Sequence, residues 1–261
     1  HPKQYAWLEN LIENEQIRKR FNYKLFTNGD STNPEIAGIL TAVIGSFMTM
    51  FVFILVAFPL AVLTALYLEE FAPKNKLTDF IEININNLAA VPSIIFGLLG
   101  LAVYIGIFGM PRSSPMVGGA TLALMVFPTI VIATRNSVKS IPESIKHGAL
   151  ALGASPIQVL FSHTLPLSMP GIMTGTILAV ARAIGETAPL IMIGMVAFIT
   201  DIPEDIFSPS TVMPVQIYLW SNNPEIGFVE KTAAAILFLL VFLIVINSIA
   251  IFVRKKFEKR W

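Results

Sequence analysis

Thr232-Ala-Ala-Ala-Ile-Leu-Phe-Leu-Leu-Val-Phe-Leu-Ile-Val-Ile-Asn-Ser-Ile-Ala-Ile-Phe-Val253 runs for 22 residues without a charged side chain, and then meets Arg254, Lys255 and Lys256. A helix needs about 20 consecutive apolar residues to cross the hydrocarbon core of a bilayer. The run is continuous rather than alternating, so it reads as a spanning helix and not as a barrel strand. Four other stretches qualify: Ile36 to Leu68, interrupted by Pro59; Leu88 to Phe108, preceded by the more polar Asp79 to Asn87; Met116 to Thr134; and Pro170 to Ile199. The composition agrees. Hydrophobic residues make up 54% of the 261 residues and charged residues 13%, about half the charge of an ordinary soluble chain. The expected fold is an all-α integral membrane protein with five visible transmembrane helices.

Charge placement orients these helices. Lys74 and Lys76 follow the first span, Arg135, Lys139 and Lys146 the third, and Arg254, Lys255, Lys256, Lys259 and Arg260 the fifth. These segments share one side, which the positive-inside rule makes cytoplasmic. The other side has Arg112 in one short loop and Asp201, Glu204, Asp205, Glu225 and Glu230 in a longer one. Residues 1–35 are expected outside, as a short helix from Tyr5 to Arg20, a turn at Asn28-Gly29-Asp30 and an otherwise solvated segment. Residues 254–261 form a basic cytoplasmic tail.

No cysteine is present, which excludes a disulfide framework and a thiol nucleophile. No metal site is expected. No basic stripe with interleaved aromatics is present, so nucleic acid is not an expected partner.

Residues 135–169 are too long for a tight connection. Ser140-Ile-Pro-Glu143 reads as a capping box that opens a short helix, and Gly153 reads as its stop. Ser155-Pro-Ile-Gln158 opens a second helix that should end by Leu165-Pro166. The first of these helices displays Ala149, Leu150, Ala151 and Leu152. Such a helix suits the groove of a partner, or lies on lipid headgroups.

On the fourth span, Gly171, Gly175, Ala179, Arg182 and Glu186 share one face. Gly171 and Gly175 form a G-x-x-x-G pair that lets another helix approach closely. The same face carries an Arg and a Glu near the middle of the span. A charge there costs about 2.5–3.5 kcal/mol, so such residues mark function by default. Arg suits an oxyanion because its planar fork donates two parallel hydrogen bonds. The same pair also fits a structural role in fixing helix register. Gly185 and Pro189 flank it, and Pro189 should kink or break the helix. The second span has its own small-residue stripe, Ser93, Gly97 and Gly100, with Tyr104 on the same side.

Three strings carry a family resemblance. His147-Gly-Ala-Leu-Ala-Leu-Gly153-Ala154, followed by Leu165-Pro166, resembles the cytoplasmic EAA loop of ABC importer permeases, with His147 near the place of the pattern's Glu. Ala181-Arg-Ala-Ile-Gly-Glu-Thr-Ala-Pro-Leu190 and Asn86-Asn-Leu-Ala-Ala-Val-Pro-Ser-Ile-Ile-Phe-Gly-Leu-Leu-Gly-Leu101 resemble the PstA-type permeases of phosphate ABC importers, as does Pro214-Val-Gln-Ile-Tyr-Leu-Trp220. The resemblance implies an ABC permease transmembrane domain over 36–253 in the bacterial inner membrane. It places Arg182 and Glu186 on the phosphate path, with Thr187 and Ser93 as further candidates to line it. It gives His147, Gly148, Ala149, Leu150, Gly153 and Ala154 to ATPase coupling, and leaves Gly171, Gly175, Gly97 and Gly100 to helix packing. The implied partners are a PstC-like permease, two ATPase subunits and a periplasmic phosphate-binding protein. PstA-like permeases have six spans, so a first span is expected to precede His1, with 1–35 the end of a longer external segment. No G-x-x-x-x-G-K-[ST] phosphate loop is present, and ATP with its Mg2+ is expected on the ATPase subunits. No catalytic residue is expected here. The competing readings are a permease for sulfate or molybdate and an ion-coupled secondary transporter. An intramembrane enzyme finds no H-E-x-x-H or G-x-S-x-G motif.

Overall fold

The structure is a computed structural model that describes Leu11 and residues 21–257. Leu11 apart, the helix expected from Tyr5 to Arg20 lies outside the described residues, as do Lys259 and Arg260. Every regular element among the described residues is helical. In chain order they are α1 (Lys24–Thr27), α2 (Leu40–Glu70), α3 (Lys76–Ala89) and α4 (Ser93–Gly100), which continues into a wider π-type stretch, Leu101–Ile107. Then come α5 (Pro115–Lys139), α6 (Glu143–Ala151), α7 (Pro156–Val159), a second π-type stretch (Leu160–Thr164) and α8 (Leu165–Gly185). Last are α9 (Ala188–Met192), α10 (Met213–Ser221) and α11 (Gly227–Phe257).

Among the described residues, four helices are long and apolar enough to cross a membrane: α2, α5, the unit Pro156–Gly185 and α11. Helix α3 and the segment Ser93–Ile107 make a fifth candidate, bent by 105°. The bend corrects the expected second span, which begins at Ser93 rather than Leu88. Pro92 has no N–H to continue a helix and sits in an extended conformation with ψ 138°. The stretch from Asp79 to Asn87 is no simple lead-in. It belongs to an amphipathic helix capped by Asn75, whose side chain accepts the N–H groups of Leu77 and Thr78.

Pro59 does not interrupt the first span: α2 runs through it for 31 residues. Prolines are tolerated in such helices where neighbouring groups re-satisfy the freed carbonyls. Phe53, Ala57, Ala61 and Ala65, spaced every four residues, are all buried on α2. They form its face toward the core it shares with α5, whose Val117, Leu122, Val126 and Ile130 are buried with them. Two-thirds of α5's most apolar stretch (67%) is buried, and none of α11's (0%). Helix α5 is thus the centre of the bundle and α11 its uncovered flank.

The two ends differ. At the end bearing Lys139, Lys146 and Arg254, ion pairs tie the helices together. Arg135 of α5 meets Glu69 of α2 at 3.2 Å and Glu82 of α3 at 2.6 Å. Lys146 of α6 meets Glu70 of α2 at 2.7 Å. At the other end, residues 21–39 are only partly solvated. Leu25, Ala37 and Ile39 are buried with Trp220 and Phe228, and Trp220 donates its indole N–H to the buried Asp30 at 2.9 Å. The expected turn at Asn28-Gly29-Asp30 is not formed: Asn28 is extended, φ −102° and ψ 156°, the chain turns instead at Pro34-Glu35-Ile36, and Gly38 N–H bonds Gly29 O at 2.8 Å.

Candidate functional site

Helix α8 ends where its neighbours continue. Gly185 closes it, and Glu186 follows in extended backbone, φ −76° and ψ 130°. The chain restarts as α9 with Pro189 in its first turn. Ala183 and Ile184 line a small cavity with Thr49 and Met50 of α2 and Leu122 of α5. Leu122 is the eighth residue of α5, so α5 runs on for about 10 Å beyond this level at 1.5 Å per residue. The break therefore lies inside the helical layer. It also moves the charged pair: Arg182 sits in the last turn of α8 and Glu186 caps it, on the side away from the basic end, not at mid-span.

The pair itself is loose. Arg182 Nε and Glu186 Oε1 are 3.4 Å apart, beyond the 2.7–2.9 Å of a good charge-assisted bond. Arg182 keeps 45% of its side chain exposed and Glu186 keeps 19%. Among the described residues, Glu186 is the guanidinium's polar partner, and most of its donor fork is left open. Nothing lies within 4 Å of where a Cβ on Gly185 would stand. The surface beside the fork is therefore open too. Thr187 is half-buried, and its carbonyl accepts the N–H of Ile191 at 3.0 Å.

Small residues set the geometry around this break. A Cβ on Gly171 would strike Ser137, and one on Gly175 would strike Ala133. Both neighbours belong to α5, one helical turn apart, and Ser137 Oγ also donates to Ser168 O at 2.7 Å. Gly97 of α4 lets α9 close in: a Cβ there would lie 2.6 Å from Pro189 Cα. Gly100 faces Thr121 and Ile193 in the same way. The two long sequence strings at 86–101 and 181–190 are thus in direct contact. Ser93, half-buried at the start of α4, makes no hydrogen bond to the Arg182–Glu186 pair among the described residues. The ideal face shared by Gly171, Gly175, Ala179 and Arg182 splits in practice. Its first three residues meet or lie toward α5, whereas Arg182 emerges past it.

The loop at the basic end departs from expectation at two points. Ser140 does not cap α6. Its N–H still bonds Asn136 O at the end of α5, its hydroxyl donates to Ser137 O at 2.7 Å, and Pro142 occupies the N-cap. Nor does the second loop helix stop at Leu165-Pro166. It passes through the π-type stretch straight into α8, whose wider turn accommodates Pro166, a residue with no N–H to give. The other local signals hold. Ser155 and Gln158 make both bonds of a capping box. Gly153, at φ +88°, lets Gly153 N–H reach Leu150 O and Ala154 N–H reach Ala149 O, a Schellman stop.

No residue of α6 is buried. Leu150 is 42% exposed, Leu152 91% and Ile157 60%. Gly148 has open space at its Cβ position, and Ala149 is half-buried. His147 Nε2 lies 3.7 Å from Glu143 Oε2, both side chains well exposed. Glu69, Glu70 and Glu82 were not singled out in the sequence. Their signal is a pair of adjacent carboxylates at the end of an apolar run, on the side where the basic residues gather.

Among known proteins, the family model "Binding-protein-dependent transport system inner membrane component" matches residues 36–261. The chain is similar to a probable ABC transporter permease protein, YqgI, of Bacillus subtilis, 32% identical over 219 residues, covering 79% of this chain and 73% of that one. It is similar to the phosphate transport system permease protein PstA 1 of Mycobacterium tuberculosis, 31% identical over 83% of this chain and 70% of the relative. PstA of Haemophilus influenzae is 30% identical over 90% of this chain and 81% of its own length. Two solved structures share the fold. The MetNI methionine ABC transporter in an inward-facing conformation gives a TM-score of 0.64 at 16% identity, covering 85% of this chain and 95% of that chain. A bacterial alginate ABC transporter in complex with a periplasmic protein carrying an alginate pentasaccharide gives 0.63 at 15% identity, covering 95% and 92%.

Proposed function

Because the chain belongs to the family of binding-protein-dependent transport system inner membrane components, the permeases of ABC importers, we propose that its cargo is phosphate and that Arg182 lies on the phosphate path. The observation that carries this reading is the open guanidinium fork of Arg182 at a helix break inside the bundle, held by one 3.4 Å contact to Glu186. A fork so loosely paired can exchange a carboxylate for a phosphate oxygen with little loss, and its planar donors match two oxygens of an oxyanion. The broken helix adds polar backbone where a path needs it. Thr187 and Ser93 contribute hydroxyls from the two flanking segments. The PstA relatives support phosphate as the oxyanion.

One chain supplies half of such a path, and a PstC-like permease supplies the other half across the Arg182 face. Ligand arrives from a periplasmic phosphate-binding protein at the Asp201–Glu225 end. Two ATPase subunits carry ATP and Mg2+ and receive α6, whose exposed Leu150, with Leu152 just past its end, suits a groove. His147, Gly148, Ala149, Gly153 and Ala154 shape the same surface. The pattern's missing Glu has a stand-in one turn earlier, since Glu143 is exposed on the face of His147. Clustering of Arg135, Lys139, Lys146 and Arg254 at this end supports a cytoplasmic C-terminus. This chain has no catalytic role of its own; the push comes from ATP hydrolysis on its partners.

The test is uptake into proteoliposomes holding the chain with the permease, ATPase and binding-protein partners. Labelled phosphate should accumulate only with ATP inside the ATPase compartment, and excess sulfate or molybdate should not compete. Competition at equal concentration would move the assignment to another oxyanion. Uptake by this chain without any ATPase would replace it with an ion-coupled carrier.

A further inference from the structure

An apolar groove of about 370 Å³ opens between α2, α8 and α11. Ile54 and Phe58 line it from α2, Met173 and Ile177 from α8, and Ile246 and Ile249 from α11. Its floor toward the basic end is cationic. Arg254, one turn past Ala250 on α11, turns back to α8 and donates from Nη1 to Thr174 Oγ1 at 3.2 Å. At about 100° per residue, Lys256 stands exposed on the groove's other flank, whereas Lys255 points away from it. The helix that forms one wall, α11, has no fully buried residue in its most apolar stretch, although Leu239, Phe242, Leu243 and Ile246 are partly buried against the core.

We infer that this groove holds the acyl chain of an anionic phospholipid of the leaflet at the basic end, with its headgroup phosphate on Arg254 and Lys256 on the opposite flank. Charge decides the occupant. A partner helix would bring apolar side chains to the groove and leave the charge of a half-buried guanidinium, bonded only to Thr174 Oγ1, without a counter-ion, whereas an anionic lipid satisfies both parts at once. Position agrees. Arg254 lies eight residues from Ile246, about 12 Å along the helix, so a headgroup at Arg254 feeds an acyl chain along the length of the groove. Direction agrees as well. At about 100° per residue, Met173 points roughly 180° and Val180 roughly 160° away from Arg182 around α8. The groove thus faces away from the side where Arg182 is open, and the two faces have separate occupants. Basic pockets between spanning helices on the cytoplasmic side recognise lipid phosphates by the same chemistry.

Native mass spectrometry of the chain with its permease partner tests this. The complex is reconstituted in nanodiscs of phosphatidylcholine and phosphatidylglycerol at a seven-to-three ratio and then stripped gently. The parent should retain phosphatidylglycerol well above its share in the mixture. Arg254→Gln should lower that retention about fivefold, the scale of one basic residue against anionic lipid, and Arg254→Lys should recover most of it. Ala250→Phe, which fills the groove, should remove both lipids, while the complex stays assembled in the same spectra. Retention in the mixing ratio, retention unchanged in Arg254→Gln and Ala250→Phe alike, or a parent carrying no lipid overturns the proposal. The readout is lipid mass, so it stands or falls separately from phosphate uptake.

Discussion

The two ends of the bundle are built by opposite means. Away from the basic residues, the chain seals itself. Trp220 bonds Asp30, Ser46 Oγ accepts the N–H of Met213 at 2.8 Å, Lys231 Nζ donates to Ala37 O at 2.8 Å, and Thr211 donates to Met195 O at 3.1 Å. These bonds span from 16 to 194 residues of sequence, and all involve buried side chains. At the basic end, α6 is held to α2 by one ion pair, Lys146–Glu70, and its own apolar side chains stay in the open. Buried directional bonds make an end whose helices and loops are tied together within one chain. Partly exposed charges and bare leucines make a surface that is finished by something else.

The largest effect should come from breaking the sealed end. Trp220→Ala removes a buried aromatic and leaves the buried Asp30 with one partner fewer. It should cost about 3–5 kcal/mol, read as a fall in Tm of the purified chain in detergent. Glu70→Gln or Lys146→Ala should cost less, about 1–3 kcal/mol for a partly buried charge left without its partner, while uncoupling ATP hydrolysis from transport. The swapped pair, Glu70→Lys with Lys146→Glu, should recover coupling if the ion pair carries it. Gly153→Ala forces an L side chain to φ +88°. It should cost about 1–2 kcal/mol locally, seen as faster hydrogen exchange in α6 with little change in global Tm. A Tm loss from Gly153→Ala as large as that from Trp220→Ala would erase the contrast between the ends.

The smallest effect is a pH response in the outer loop. The Ser208 hydroxyl, followed by the Phe207 and Ser208 backbone N–H groups, holds the Asp205 carboxyl below its ordinary value. A depressed carboxyl stabilises its turn above the ordinary value of about 3.9 and loses that contribution as pH falls through the depressed one. The amide resonances of Phe207 and Ser208 should therefore stay unchanged down to about pH 4 and shift below it. A shift already near pH 5 would contradict the geometry.

The fold was largely legible, because a run such as Thr232 to Val253 needs no tertiary context to be read. What failed depended on neighbours. Pro59 looked like a break, yet α2 passes through it. The bend at Pro92 moved the second span by five residues, since an apolar run from Leu88 hides a turn made by Ala90 and Val91. Ser140 has the sequence of an N-cap but serves as the C-cap of α5. The packing of residues 21–39 rests on contacts with Trp220 and Phe228, some 190 residues away, which no local pattern reports. Around the candidate site, the residue types and the small-residue spacing could be read directly. The depth of Arg182 could not, because the end of α8 is set by how α9 seats on Gly97.

The most direct test of the central claim is ATP-driven phosphate uptake by the assembled transporter carrying Arg182→Ala. The account predicts that the complex assembles, that basal ATP hydrolysis persists and that uptake falls by at least about tenfold, the scale of a lost charge-assisted bond to an anion. Uptake at the parent's rate would make the Arg182–Glu186 pair a structural feature and remove it from the phosphate path.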